Sequence, residues 1–123
     1  MIKPCIVRMA AGRNELTASA LERLEKGLDD AERSPDFCAL VICAEGEYFC
    51  SGLPLPCSGM GGRGRSTWDA DNAVQYRRLC ERLSTSSVVT IALVDAPTTG
   101  GGVALAGACD LVLAGSGARF RLT

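Results

Sequence analysis

VVTIALVDAPTTGGGVALAGACDLVLA, residues 88–114, is the stretch that decides the fold. Val88 to Val94 reads as a continuous strand. Asp95-Ala96-Pro97 breaks it. Gly100, Gly101 and Gly102 follow, then a short apolar stretch of helical character to Ala108. Leu111 to Ala114 reads as a further buried strand. A strand, a glycine turn, a helix and a second strand in this little space imply parallel strands joined by a crossover.

The same grammar runs outward in both directions. Cys5 to Met9 reads as a short strand and Ala10 to Glu15 as a polar turn. Leu21, Leu24, Leu28 and Ala31 recur at spacings of three and four, which predicts an amphipathic helix. Thr17 or Ser19 can cap its start, Ser19 with Glu22 fits a capping box, and Ser34-Pro35-Asp36 ends it. Ala39 to Cys43 is a second apolar strand. Residues 44–68 are glycine-rich and aperiodic; a loop this long inside a compact domain usually serves function. Ala73, Tyr76, Cys80 and Leu83 restore helical spacing, and Arg119 to Leu122 opens another element. The order predicts an α/β fold with parallel strands. At 123 residues there is room for one domain. Thr123 falls within what reads as structured sequence, so residues 1–123 read as a single core domain truncated at its C-terminal end. The alternative is a complete small domain ending on an edge strand.

Composition excludes several classes. Apolar residues make up 47% and the formal charge is −1, with no basic face for nucleic acid or anionic membrane. No apolar run reaches the length of a transmembrane helix, and the start lacks a signal-peptide core. A cytoplasmic protein is expected. There are seven cysteines and no histidine. An odd number without Cys-x-x-Cys spacing reads as reduced thiols in or near the core, and no metal site is expected. Without histidine, Ser-His-Asp and Cys-His mechanisms are unavailable.

Two segments that follow strands look shaped for backbone chemistry: Glu47-Tyr48-Phe49-Cys50-Ser51-Gly52-Leu53 and Thr98 to Gly107. In the second, glycines let the main chain approach a ligand closely. The helix start beyond them leaves unpaired N–H groups and a positive dipole end, which favour an anion or an oxygen becoming one. A tight turn or a close helix–strand contact explains a Gly-Gly-Gly run equally well when it stands alone.

Together the segments resemble the crotonase (enoyl-CoA hydratase/isomerase) superfamily. Phe49-Cys50-Ser51-Gly52-Leu53 is similar to its first signature, Phe-x-x-Gly-x. Gly100-Gly101-Gly102 with Cys109-Asp110-Leu111-Val112-Leu113-Ala114 is similar to the second, and Asn14-Glu15-Leu16-Thr17 resembles its Asn-x-Leu-Thr helix start. The likeness runs over nearly the whole chain. It implies a crotonase-like ββα spiral core, partial, with the C-terminal helical region absent. It implies that the backbone N–H groups of Leu53 and Gly101 form an oxyanion hole for an acyl thioester. Gly52, Ser51, Gly100, Gly102, Ala104 and Trp68 are then the expected substrate-binding residues. The expected partner is an acyl-CoA or an acyl-carrier protein, with no nucleic acid or membrane. No cofactor is expected beyond the coenzyme A or phosphopantetheine that carries the substrate. The full-length protein is expected to be a homo-oligomer, a trimer or hexamer.

The chain departs from the pattern at one catalytic position. Hydratases of the superfamily carry a glutamate three residues after the middle glycine, where this chain has Ala104; their second glutamate would align just past Thr123. The nearest resemblance is to the enoyl-CoA hydratase homologues of polyketide pathways, which dehydrate a 3-hydroxy-3-methylglutaryl thioester on a carrier protein. A hydratase/dehydratase-like lyase is therefore expected, whose 123 residues alone lack a named acid or base. Alternatives are another crotonase activity (isomerase, decarboxylase or fatty-acid enoyl-CoA hydratase) and a non-catalytic thioester- or carrier-protein-binding homologue. A dinucleotide site is disfavoured because Leu105 stands where a third glycine is needed. In the loop, Arg63 and Arg65 are candidate phosphate contacts, Met60 and Trp68 candidate pocket walls, and Asp69 and Asp71 candidate helix starters.

Overall fold

The computed structural model describes residues 2–10, 12–54 and 70–122. In chain order these form β1 (Lys3–Met9), α1 (Ala18–Arg33), β2 (Phe37–Ala44), α2 (Ala70–Thr85), β3 (Val89–Val94), β4 (Pro97–Thr99), α3 (Gly101–Ala108), β5 (Leu111–Ala114) and β6 (Arg119–Arg121). Four strands make one sheet in the order β1-β2-β3-β5, and β4 pairs with β6 in a second. Every pairing is parallel, as expected when helices carry the chain back between strands.

Helix α1 forms where the leucine stripe predicts it. Thr17 is the cap: its Oγ1 accepts from the Ala20 N–H at 3.1 Å, so the alternative cap, Ser19, lies inside the helix. Leu21, Leu24 and Leu28 are fully buried and Ala31 nearly so, packed over β1 and β2. Truncating any of these leucines to alanine would cost about 2–5 kcal/mol. Helix α2 buries Leu79 and Leu83, with Tyr76 and Cys80 half-buried and Ala73 exposed. Its inner face is thus turned slightly from the expected stripe. Arg82 ties α2 to α1 through Asp29 at 2.7 Å and Glu32 at 3.0 Å.

Thr90 locks β3 to the far end of α3. Its buried hydroxyl donates to the Leu83 carbonyl at 3.0 Å and accepts from the Asp110 N–H at 2.9 Å. Asp110 returns the bond, its carboxylate accepting from the Thr90 N–H at 3.0 Å. Asp95 likewise accepts from the Gly117 N–H at 3.0 Å.

One expectation fails at β5. Its run is apolar but not buried, Leu111 and Leu113 being 50% and 54% exposed. Among the described residues β5 lies at the edge of the sheet, and Leu111 lies in a single register row with Ile6, Val41 and Ile91. Ile6, Val89 and Leu93 are also exposed on this sheet. An apolar run without alternation gives a strand two apolar faces; it does not supply a layer to cover both. The cysteines follow expectation more closely: Cys50 and Cys109 are buried and Cys5, Cys43 and Cys80 half-buried, all reduced. Cys38 is the exception, exposed on β2. Cys57 lies outside the described residues.

Candidate functional site at the start of α3

The loop after β2 and the turn before α3 lie side by side. Phe49 N–H donates to the Pro97 carbonyl at 3.0 Å and Thr99 N–H to the Cys50 carbonyl at 3.0 Å. Thr99 Oγ1 adds a bond to the Ser51 carbonyl at 2.9 Å. Phe49 is the pin, 1% exposed in the core. This zipper brings the residues singled out from the sequence, Ser51 to Leu53 and Gly100 to Gly102, into contact.

Glycine is required where they touch. Gly52 has φ +92°, and a Cβ on it would stand 2.8 Å from the Thr99 carbonyl oxygen and 3.0 Å from the Gly101 nitrogen. Both obstacles are main chain, which cannot swing aside. On the other side, a Cβ on Gly101 would meet Leu53 Cγ at 3.1 Å, Leu53 Cδ2 at 3.2 Å and Tyr76 Oη at 3.3 Å. Gly100, at φ 54° and ψ −125°, takes the N-cap position of α3.

The two peptide groups of interest are each held by their carbonyl. Gly52 O accepts from Leu16 N–H at 2.9 Å, and Gly100 O accepts from Val103 N–H at 3.0 Å. In a trans peptide the N–H points opposite to the C=O. Leu53 N–H is therefore turned away from Leu16, and Gly101 N–H away from the body of α3, off its N-terminal end. The helix start adds its positive dipole end there.

The motif Asn14-Glu15-Leu16-Thr17 shapes the first of these loops. Asn14, 3% exposed and at φ 53°, donates through Nδ2 to the carbonyls of Glu45 at 2.9 Å and Tyr48 at 2.8 Å. Ser51 N–H bonds Arg13 O at 3.1 Å, and Glu15 bridges to Gly52. The short stretch between β1 and α1 is thus a splint for the loop that carries Leu53. Long-range bonds of this kind leave no local trace in sequence, so these roles were not predictable from it.

Ala104 is exposed on the first turn of α3 and has no proton to give. Behind the glycine turn sit three protonated groups. Burial pushes the Cys50 thiol up to about 11. Burial also raises Cys80, as well as the Tyr76 phenol, whose shift the thiols Cys80 and Cys50 reinforce. Tyr76 Oη donates to the Gly101 carbonyl at 2.7 Å. Ser51 Oγ is buried with no hydrogen-bond partner among the described residues. One cavity of about 170 Å³ lies beside Asn14, Thr17 and Arg23, and another of about 250 Å³ beside Tyr48, Thr99 and Arg121. Neither has Leu53 or Gly101 in its wall. Trp68, Met60, Arg63, Arg65 and Asp69 lie outside the described residues, while Asp71 is in the first turn of α2 as expected. Among the described residues, no group of three His, Cys, Asp or Glu side chains is placed to hold a metal ion. Nor is any described helix long and apolar enough to cross a membrane.

Residues 5–123, nearly the whole chain and both loops of the site, match the pattern of the family described as enoyl-CoA hydratase/isomerase. The chain belongs to that family. Within it, 111 residues are 32% identical to a Thermus thermophilus protein assigned as an enoyl-CoA hydratase, covering 90% of this chain and 44% of that protein. Over 120 residues the chain is 27% identical to the enoyl-CoA hydratase EchA19 of Mycobacterium tuberculosis, covering 92% and 42%. Among solved structures, an enoyl-CoA hydratase/isomerase family protein from Silicibacter pomeroyi superposes with a TM-score of 0.76 at 28% identity, over 99% of this chain and 52% of that one. The enoyl-CoA hydratase from Bacillus anthracis shares the fold with a TM-score of 0.78 at 23% identity, over 98% and 48%. The α/β fold is thus that of the crotonases. The chain spans less than half the length of the curated relatives it matches.

Proposed function

We propose that this chain supplies the thioester-binding half of a crotonase-type active site, with the N–H groups of Leu53 and Gly101 donating to one carbonyl oxygen. The observation that carries this reading is the pair of held carbonyls, Gly52 O by Leu16 and Gly100 O by Val103, on peptides whose glycines touch. Two donors fixed in advance stabilise an enolate without reorganising during the reaction, and one of them is worth about 3–4 kcal/mol. Gly52, Gly100 and Gly102 let the backbones close up; Ser51, Ala104 and Trp68 are the further substrate contacts. The substrate is an acyl thioester of coenzyme A or of a carrier protein's phosphopantetheine, and the protein needs no other cofactor.

The reaction we favour is dehydration of a 3-hydroxyacyl thioester of the 3-hydroxy-3-methylglutaryl type, as in polyketide biosynthesis, in a cytoplasmic homo-oligomer. A base takes a proton from Cα, the enolate rests in the hole, and C3 expels its hydroxyl, which takes up a proton and leaves as water. Ala104, in place of a carboxylate, and the stretch Phe49-Cys50-Ser51-Gly52 support this branch. A group other than residue 104 must take the Cα proton. Ala104 also favours a second reading. Decarboxylation leaves an enolate on the same oxygen with no base required, and the ethylmalonyl-CoA decarboxylase of Gallus gallus is 28% identical over 108 residues.

Incubation with 3-hydroxy-3-methylglutaryl and alkylmalonyl thioesters, on coenzyme A and on carrier protein, separates these by mass spectrometry. Loss of water from the first on the carrier alone supports the dehydratase. Loss of carbon dioxide from the second supports the decarboxylase. No change in either, together with no binding of either, refutes the thioester reading.

A further inference from the structure

We infer that Tyr76 is a positioning residue for the oxyanion hole, its phenol bracing the triglycine turn from which Gly101 N–H projects. The inference rests on the reading above and adds to it a side chain from a third element, α2.

Gly100, Gly101 and Gly102 follow one another, and glycine backbones have the widest range of φ and ψ. Such a turn has no side chains of its own to hold it. Gly101 and Gly102 open α3, and besides the bonds within that helix three more hold the turn. Gly100 N–H bonds the Arg121 carbonyl at 2.9 Å and Gly100 O accepts from Val103 at 3.0 Å. The third is Tyr76 Oη on the Gly101 carbonyl at 2.7 Å, the only side chain of the three. The first two grip the residue before Gly101; Tyr76 grips the peptide after it. Between them the φ and ψ of Gly101 are fixed, and with them the direction of its N–H.

Tyr76 also stands 3.3 Å from where a Cβ on Gly101 would lie, beside Leu53 Cγ at 3.1 Å. The residues of both donors and the phenol therefore meet around one Cα. Half-buried and held protonated by its surroundings, the phenol is a permanent donor. It points at the main chain and touches no substrate atom in this role, so losing it should loosen the hole without emptying the site.

Tyr76→Phe keeps the ring and deletes the hydroxyl, with its bond to the Gly101 carbonyl and its contact with the Cys80 thiol. It is compared with wild type in three measurements on the whole protein. Turnover of the acyl thioester should fall about five- to tenfold in kcat, the worth of one neutral hydrogen bond, with KM changed less than about twofold. The infrared stretch of a carbon-13-labelled thioester carbonyl, shifted down on binding wild type, should move part of the way back. Exchange of the Val103 N–H should quicken while that of buried α1 amides stays unchanged, which reads the turn even if turnover is lost to poor folding. Unchanged kcat, carbonyl stretch and Val103 exchange would overturn the brace while leaving the hole intact. Absence of any carbonyl shift in wild type would overturn the hole itself, and the brace with it.

Discussion

Leu16 donates its backbone N–H to the Gly52 carbonyl at 2.9 Å, and through that bond the entrance of α1 sets the direction of the Leu53 amide. A residue that touches no substrate thereby aims a proposed catalytic donor. The link explains why Asn14-Glu15-Leu16-Thr17 accompanies the two glycine motifs. Asn14 holds the loop at Glu45 and Tyr48, Leu16 holds it at Gly52, and Thr17 begins the helix.

Asn14→Ala should therefore act twice. Two part-buried side-chain bonds are lost and a positive-φ position receives a residue poorly suited to it, costing about 2–4 kcal/mol in urea unfolding. The surviving folded protein should turn over thioester more slowly, because the loop carrying Leu53 loses its splint. Asn14→Asp, which retains an affinity for positive φ but lacks the amide donor, should recover little of either.

Gly52→Ala places a methyl 2.8 Å from the Thr99 carbonyl and 3.0 Å from the Gly101 nitrogen, at φ +92°. Main chain must move, so the two donors separate. A loss in kcat of about 100- to 1,000-fold is expected, with unfolding free energy reduced by about 1–3 kcal/mol. Gly107→Ala is the control. Nothing lies within 4 Å of a Cβ there, and replacing glycine inside a helix should hold stability or raise it by up to about 1 kcal/mol.

Stability should fall in strong alkali. Burial lifts Cys50 from 9.0 to about 11 and Cys109 from 9.0 to about 12. Between pH 9 and those values the unfolded chain has released protons that the folded chain still holds. The unfolding free energy then declines by up to about 1.4 kcal/mol per pH unit for each thiol. Below pH 9 both states keep the proton and these thiols contribute no slope. Chemical denaturation between pH 8 and pH 12 checks this, and Cys50→Ala with Cys109→Ala should flatten the decline.

Arg82→Ala removes bonds to Asp29 and Glu32 at the α1–α2 contact. With Arg82 31% exposed, solvent screens the pairs, and a cost of about 1 kcal/mol is expected in thermal unfolding. Raising the salt should shrink the difference between variant and wild type.

Much of the fold was legible because periodicity reports which face of an element is apolar. Leu21, Leu24, Leu28 and Ala31 marked α1, and the runs before Asp95 and around Val41 marked parallel strands. In α2 the marked stripe included Ala73 and passed over Leu79, since period alone cannot fix how far a helix is turned on its neighbour. At β5 the run Leu111 to Ala114 implied burial that an edge position does not provide. At the site, the glycines announced close backbone approach, and the structure brings Gly52 against Gly101. The bonds that orient those peptides were hidden. Leu16 reaches Gly52, and Tyr76 reaches Gly101 across 25 residues, and such contacts exist only once the chain has folded.

The proposed hole requires Leu53 and Gly101 to donate to one oxygen. Amide resonances followed by NMR during titration with an acetoacetyl thioester, whose enolate is stable, test it most directly. The Leu53 and Gly101 N–H protons should both move downfield, along a single binding curve. A saturating titration in which either one stays in place would rule out a shared oxygen between the two amides.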